Sequence, residues 1–118
     1  FAVGGILVGS IAGGLIGPLV LEIDADIRIV RGADSPQLAD PYLPGTLTVV
    51  AGTTVTWVNQ DLVIHTVTSD VGLFDSGSMR PGDRFSFTFT TAGTFTYRCL
   101  PHEFMRGTVV VPGELMSP

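Results

Sequence analysis

Lysine is absent from the 118-residue sequence, and the six arginines, Arg28, Arg31, Arg80, Arg84, Arg98 and Arg106, are scattered singly among eleven acids. With a net charge of -5 and no basic run to neutralise phosphates, the composition argues against nucleic-acid binding. Cysteine occurs once, at Cys99, so no internal disulfide can form. Charge is missing altogether from residues 1–21, which carry six of the fifteen glycines. That break at Glu22 divides the chain into two parts suited to different solvents: residues 1–21 and a domain over residues 22–118.

The segment FAVGGILVGSIAGGLIGPLVL, residues 1–21, is long enough as a helix to cover roughly 30 Å, the hydrocarbon thickness of a bilayer. The expectation is one N-terminal transmembrane helix that anchors the domain. A signal-peptide hydrophobic stretch and a buried soluble segment are the competing readings, and no A-x-A-like cleavage site before Glu22 favours the former. Gly5, Gly9, Gly13 and Gly17 recur every fourth residue, which on a helix makes one stripe where a partner helix can approach closely. Pro18 stops regular helix near Gly17.

From Glu22 onward no second helical period is found. Ile23, Ala25, Ile27 and Ile29 alternate with Asp24, Asp26 and Arg28, the period of a half-buried strand. Residues 31–45 hold three prolines and two glycines and read as a loop or extended crossing segment. Further strands are expected at 46–50, 53–59, 65–69, 84–90, 94–99 and 107–111, rich in Val, Thr, Phe and Tyr and separated by turn signals such as Pro81-Gly82-Asp83. Seven or so short strands describe an all-β antiparallel sandwich. Trp57, Phe85, Phe87, Phe89 and Tyr97 fall at alternating strand positions and read as core, whereas Asp61, Asp70, Asp75 and Asp83 read as solvated turn residues.

Chemistry concentrates in Cys99-Leu100-Pro101-His102-Glu103-Phe104-Met105, where thiolate, imidazole and thioether recur at every third residue between two expected strands. The only other histidine, His65, follows the 60–64 loop, and a sandwich can bring both loops to one end. Alone, His65 would more often be a satisfied core or surface histidine; it gains weight because the other three donors lack a fourth partner. Cys99 could be an inert buried thiol and Met105 plain core, yet Met79 and Met116 lie outside the loop and suit an axial role less well. Two His, one Cys and one weak axial Met form the ligand set of a blue-copper electron-transfer site. Zinc could take His65, Cys99 and His102, but a thioether is a poor fourth ligand for it.

From Gly52 through Val111 the sequence resembles the cupredoxins, type 1 blue copper proteins, of the plastocyanin/amicyanin group. The resemblance is carried by Gly52 to Asn59 with Trp57, by His65-Thr66-Val67, Phe74 to Gly77 and Pro81-Gly82, and above all by Phe95 to Val111 with Cys99, Pro101, His102, Met105 and Gly107. The Cys-x2-His-x2-Met spacing is of the amicyanin type. The resemblance implies a cupredoxin-like Greek-key β-sandwich, equatorial copper ligands at His65, Cys99 and His102, and an axial ligand at Met105. It departs at Thr66, where the family commonly has an asparagine that ties the ligand loops, so that tie is not carried over. It departs again at Glu103, where amicyanin has proline.

The expected function is that of a membrane-anchored type 1 copper protein, with one copper as sole cofactor. It passes single electrons between redox protein partners, docked to or part of a membrane complex, without substrate turnover or a small-molecule substrate. The copper domain is expected on the extracytoplasmic side, periplasmic or extracellular. Electrons are expected to leave through a patch of His102, Leu100, Pro101, Phe104 and Glu103, since these residues cannot all face a core from so short a turn. A copper-delivery or storage domain and a structural subunit of a membrane complex are the alternatives. A Cys–His nucleophilic enzyme comes last, because no orienting third residue or oxyanion-hole motif accompanies Cys99 and His102.

Overall fold

The computed structural model describes residues 25–113. The expected anchor helix over 1–21 and its Gly5, Gly9, Gly13 and Gly17 stripe lie outside those residues; among the described residues no helix is long and apolar enough to cross a membrane. Eight strands make up the described part: β1 Ile27–Ile29, β2 Tyr42–Leu43, β3 Thr46–Thr48, β4 Thr53–Asn59, β5 Thr68–Ser69, β6 Arg84–Phe89, β7 Gly93–Arg98 and β8 Arg106–Val111. They form two four-stranded sheets, ordered β2-β1-β4-β6 and β3-β8-β7-β5. The expected all-β sandwich is thus the observed architecture.

Period-two alternation explains the central strands. In β4, Val55 and Trp57 are fully buried, whereas the hydroxyls of Thr54 and Thr56 bond those of Thr88 and Ser86 on β6, each pair at 2.7 Å. The same register sets Val55 opposite Phe87 and Trp57 opposite Phe85, so the aromatic side chains share the inner face. Trp57 lies between Phe74, Phe85 and Tyr97 with ring centroids 5.8, 5.6 and 5.4 Å away, and its truncation to alanine would cost about 3–5 kcal/mol.

Three expectations are corrected. The sandwich is not wholly antiparallel: β1 pairs with β4, and β3 with β8, in parallel. Because β3 belongs to the second sheet, the chain leaves β1, crosses to the other layer and returns as β4, the crossover that a parallel pair requires. Within the expected 31–45 loop, Tyr42–Leu43 forms β2 against β1. Pro41 and Pro44 flank it, which suits an edge strand, and the buried Tyr42 ring fixes it in place through a 2.6 Å bond from its hydroxyl to the Thr66 carbonyl. Of the expected strand over 65–69, only Thr68–Ser69 joins β7, while His65 makes an isolated bridge with Met79. The ladder stops there because the Thr66 N–H points to the Cys99 sulfur instead of a carbonyl.

The Arg80-Pro81-Gly82-Asp83 turn closes with the Asp83 N–H on the Arg80 carbonyl at 2.9 Å, and Gly82 takes the φ of 89° that its third position demands. Gly107 answers a different need. It faces Tyr97 across β7 and β8, and a Cβ there would collide with the tyrosine ring, so only glycine lets that ring lie across the strand two residues before Cys99.

Candidate metal centre

Strand β7 ends at Arg98 and β8 resumes at Arg106, leaving residues 99–105 as a tight loop at one end of the sandwich. Its ends are pinned by the backbone: the Cys99 N–H donates to the Met105 carbonyl at 3.3 Å, and the Met105 N–H to that of His102 at 2.9 Å. His65 arrives from the segment between β4 and β5, held by two backbone bonds to Met79 at 3.2 and 2.8 Å. The two loops meet, with the His65 and His102 ring centroids 5.0 Å apart.

Cys99 Sγ lies 3.6 Å from His65 Nδ1 and 3.6 Å from His102 Nδ1. The donor atoms of His65, Cys99 and His102 all lie within 4.8 Å of one another. Three of the four sequence-expected ligands therefore converge side chain to side chain. Met105 is fully buried in the same core cluster as Cys99, at the far end of the same loop. Cys99 and His65 are buried, and His102 is partly exposed. One soft thiolate and two imidazoles, with a thioether in the same loop, fit copper: sulfur suits Cu(I), and imidazole serves both oxidation states.

Burial pushes the Cys99 thiol up from its ordinary range, and hydrogen bonds from the Thr66 and His102 backbone and the Thr66 side chain offset this in part. A coordinated cation reverses that preference, since a coordinating thiol is deprotonated outright. The Thr66 N–H reaches Cys99 Sγ at 3.4 Å, and its hydroxyl oxygen accepts the Leu100 N–H at 2.9 Å. The tie between ligand loops, which the sequence reading did not carry over at Thr66, is thus present and is made by the threonine. Its signal was a short polar side chain beside a ligand histidine, which pattern alone cannot distinguish from an ordinary strand residue.

The expectation that Asp61 and Asp70 are solvated is overturned. Asp61 is only 4 % exposed, and its Oδ2 lies 2.7 Å from His65 Nε2. Burial raises its carboxyl, yet the hydrogen bonds from His65, Gly32 and Leu62, with the attraction of His65, outweigh this and hold it below the usual range. Asp70 pairs with Arg98 at 2.7 Å and Arg106 at 2.9 Å. Asp75 and Asp83 are exposed turn residues as expected, accepting the Gly77 and Arg80 N–H groups. Asp61 precedes His65 by four residues, and that spacing was the available signal, though only the fold shows that the loop curls the carboxylate back onto the ring.

Around His102, Leu100 and Phe104 are 42 % and 46 % exposed, and Pro101 and Glu103 are exposed as well. Phe104 lies 6.0 Å from the His102 ring, centroid to centroid. The sequence reading missed Leu62, Val63 and Ile64, which are exposed on the loop leading into His65.

Residues 30–112 match the model of the copper binding proteins, plastocyanin/azurin family. Amicyanin of Paracoccus denitrificans is 43% identical over 75 residues, 59% of this chain, and the aligned part spans 57% of that protein's length. Plastocyanin of Scenedesmus fuscus is 36% identical over 99 residues, covering 73% of this chain and 99% of that protein. Among solved structures, a purple cupredoxin from Nitrosopumilus maritimus matches with a TM-score of 0.69 and 38% identity over 75% of this chain and 99% of that one. The ligand geometry and these matches agree, and the chain belongs to the plastocyanin/azurin family of copper binding proteins.

Proposed function

We propose that the protein is a single-electron carrier with one type 1 copper, which His65, Cys99, His102 and Met105 would hold. The observation that carries this reading is the convergence of His65 Nδ1, Cys99 Sγ and His102 Nδ1 at one end of the sandwich. Copper in such a set supplies a Cu(I)/Cu(II) couple, while the protein supplies rigidity. Thr66 and the bonds closing the 99–105 loop hold the donors in one arrangement, so little has to move when the charge changes. Amicyanin and plastocyanin, to which the chain is similar, support the carrier role over delivery or storage.

Electrons are proposed to pass through the exposed edge of His102, in an apolar rim of Leu100, Pro101 and Phe104; Leu62, Val63 and Ile64 are exposed on the loop that leads into the other ligand histidine. Apolar contact desolvates a brief encounter without ion pairs that slow release, and the Glu103 carboxylate favours a redox partner carrying positive charge opposite it. The uncharged 1–21 segment and its glycine stripe support anchoring to a membrane beside a partner helix. The copper domain is placed outside the cytoplasm, where fewer free thiols compete for soft Cu(I).

Absorption, EPR and voltammetry of the copper-loaded protein test the reading. An intense visible band that vanishes on reduction, a reversible one-electron couple, and loss of the band in Cys99→Ser are expected. Colourless oxidised protein holding stoichiometric copper would overturn it. Retention of a protein starting at Glu22 in membranes would overturn the anchor.

A further inference from the structure

The geometry points to Asp61 as the residue that biases the bound metal toward Cu(II): its buried carboxylate fixes the His65 ring through Nε2 and places a second negative charge beside the ligand set. This rests on the copper reading above and concerns a residue that contacts no metal donor atom directly.

The carboxylate is held from all sides by N–H groups. Its Oδ1 accepts from Gly32 at 3.0 Å and Leu62 at 2.8 Å, and its Oδ2 faces His65 Nε2 at 2.7 Å. No hydroxyl or carboxyl partner is among these contacts, so the group acts only as an acceptor and is built to stay ionised. Its backbone is fixed too, because the Asp61 N–H donates to Asn59 Oδ1 at 2.9 Å and Asn59 Nδ2 bonds the Val63 and Met79 carbonyls, each at 2.9 Å. Asn59 is fully buried, and Gly32 belongs to the connection after β1, so the carboxylate is clamped between two distant parts of the chain.

Two consequences follow for His65. In the neutral ring a carboxylate acceptor places the proton on Nε2, which leaves the Nδ1 lone pair directed toward Cys99 and available to a metal. The charge balance changes as well. A thiolate and a carboxylate together neutralise a dication but leave one negative charge beside a monocation, and an unbalanced charge in a buried site is costly. Among the described residues no carboxylate is paired with His102: its ring is partly exposed, and its Nδ1 faces Cys99 Sγ. The asymmetry makes His65 the fixed ligand and assigns the redox bias to its side of the site.

The test compares wild type with Asp61→Asn and Asp61→Ala by voltammetry and by separate Cu(II) and Cu(I) competition titrations. Both variants should lose Cu(II) affinity about 10–100-fold and lose less Cu(I) affinity. Each tenfold change in that ratio raises the reduction potential by ~59 mV. Folded variants with the wild-type potential, or with equal losses for both ions, would overturn the proposal, because a purely structural role weakens both alike. Should neither variant fold, NMR of the metal-free wild type decides: a slowly exchanging Nε2–H on His65 is expected, and an Nδ1–H tautomer overturns it. Wild type without a visible copper band is a separate result that strikes the copper reading itself.

Discussion

Thr66 lies in the segment before β5 and Cys99 opens the loop after β7, yet the backbone N–H of the first donates to the sulfur of the second at 3.4 Å while the Thr66 hydroxyl accepts the N–H of Leu100 at 2.9 Å. One residue thus tunes the thiolate and holds the start of its loop. Thr66→Val keeps the shape and the N–H but deprives Leu100 of its acceptor, and should cost about 1–2 kcal/mol in thermal or denaturant unfolding. Thr66→Ser should retain most of that stability. Equal stability of Val and Ser variants would show that the hydroxyl bond contributes nothing.

Met105 is the proposed axial donor, and its substitution reads directly on the potential. Met105→Gln should lower the potential, since an oxygen donor stabilises Cu(II) relative to a soft thioether, and Met105→Leu should raise it. A tenfold change in the Cu(II)/Cu(I) affinity ratio corresponds to ~59 mV, the scale to expect. Voltammetry giving one potential for all three proteins would remove Met105 from the site.

The rim around His102 predicts a split between spectroscopy and kinetics. Phe104→Ala and Glu103→Lys should each slow electron transfer to the physiological partner by about tenfold and leave the optical spectrum nearly unchanged. Stopped-flow rates equal to wild type for both would place the exit elsewhere.

Asp70 gives a pH prediction of definite sign. Its carboxyl is held below the ordinary range, first by a hydrogen bond from Thr96 and then by Arg98 and Arg106, against the opposing effect of burial. As pH falls the unfolded chain takes up this proton first, so the stabilisation is complete above the unfolded value of about 4 and is lost as pH falls through the lower folded value. Asp70→Asn should therefore cost about 1 kcal/mol at pH 7, with the gap to wild type closing below pH 4. A gap that stays constant down to pH 2 in urea titrations would refute the linkage.

Much of this protein was legible without coordinates because its determinants are local. Alternation with period two marks Val55 and Trp57 as inward and Thr54 and Thr56 as outward, and burial follows that pattern. The Cys99, His102 and Met105 spacing names a copper loop because a turn of that length has few ways to present three soft donors. The β2 strand was not legible, since Pro41 and Pro44 carry loop signals and what seats Tyr42 is tertiary, its ring against Tyr97 and its hydroxyl on the Thr66 carbonyl.

The sequence by itself determined which residues are chemically able to hold copper and which faces of the strands are apolar, because those properties belong to side-chain type and to a repeat of two. Only the tertiary structure decided the parallel pairings of β1 with β4 and β3 with β8, the threonine link between the ligand loops, and the seating of Asp61 against His65. Those depend on which distant segments meet, Gly32 with Asp61 across 29 residues and Thr66 with Cys99 across 33. A buried carboxylate and a solvated one have the same sequence signature. What separates them is whether the folded chain brings enough N–H donors to replace the water that the charge gives up.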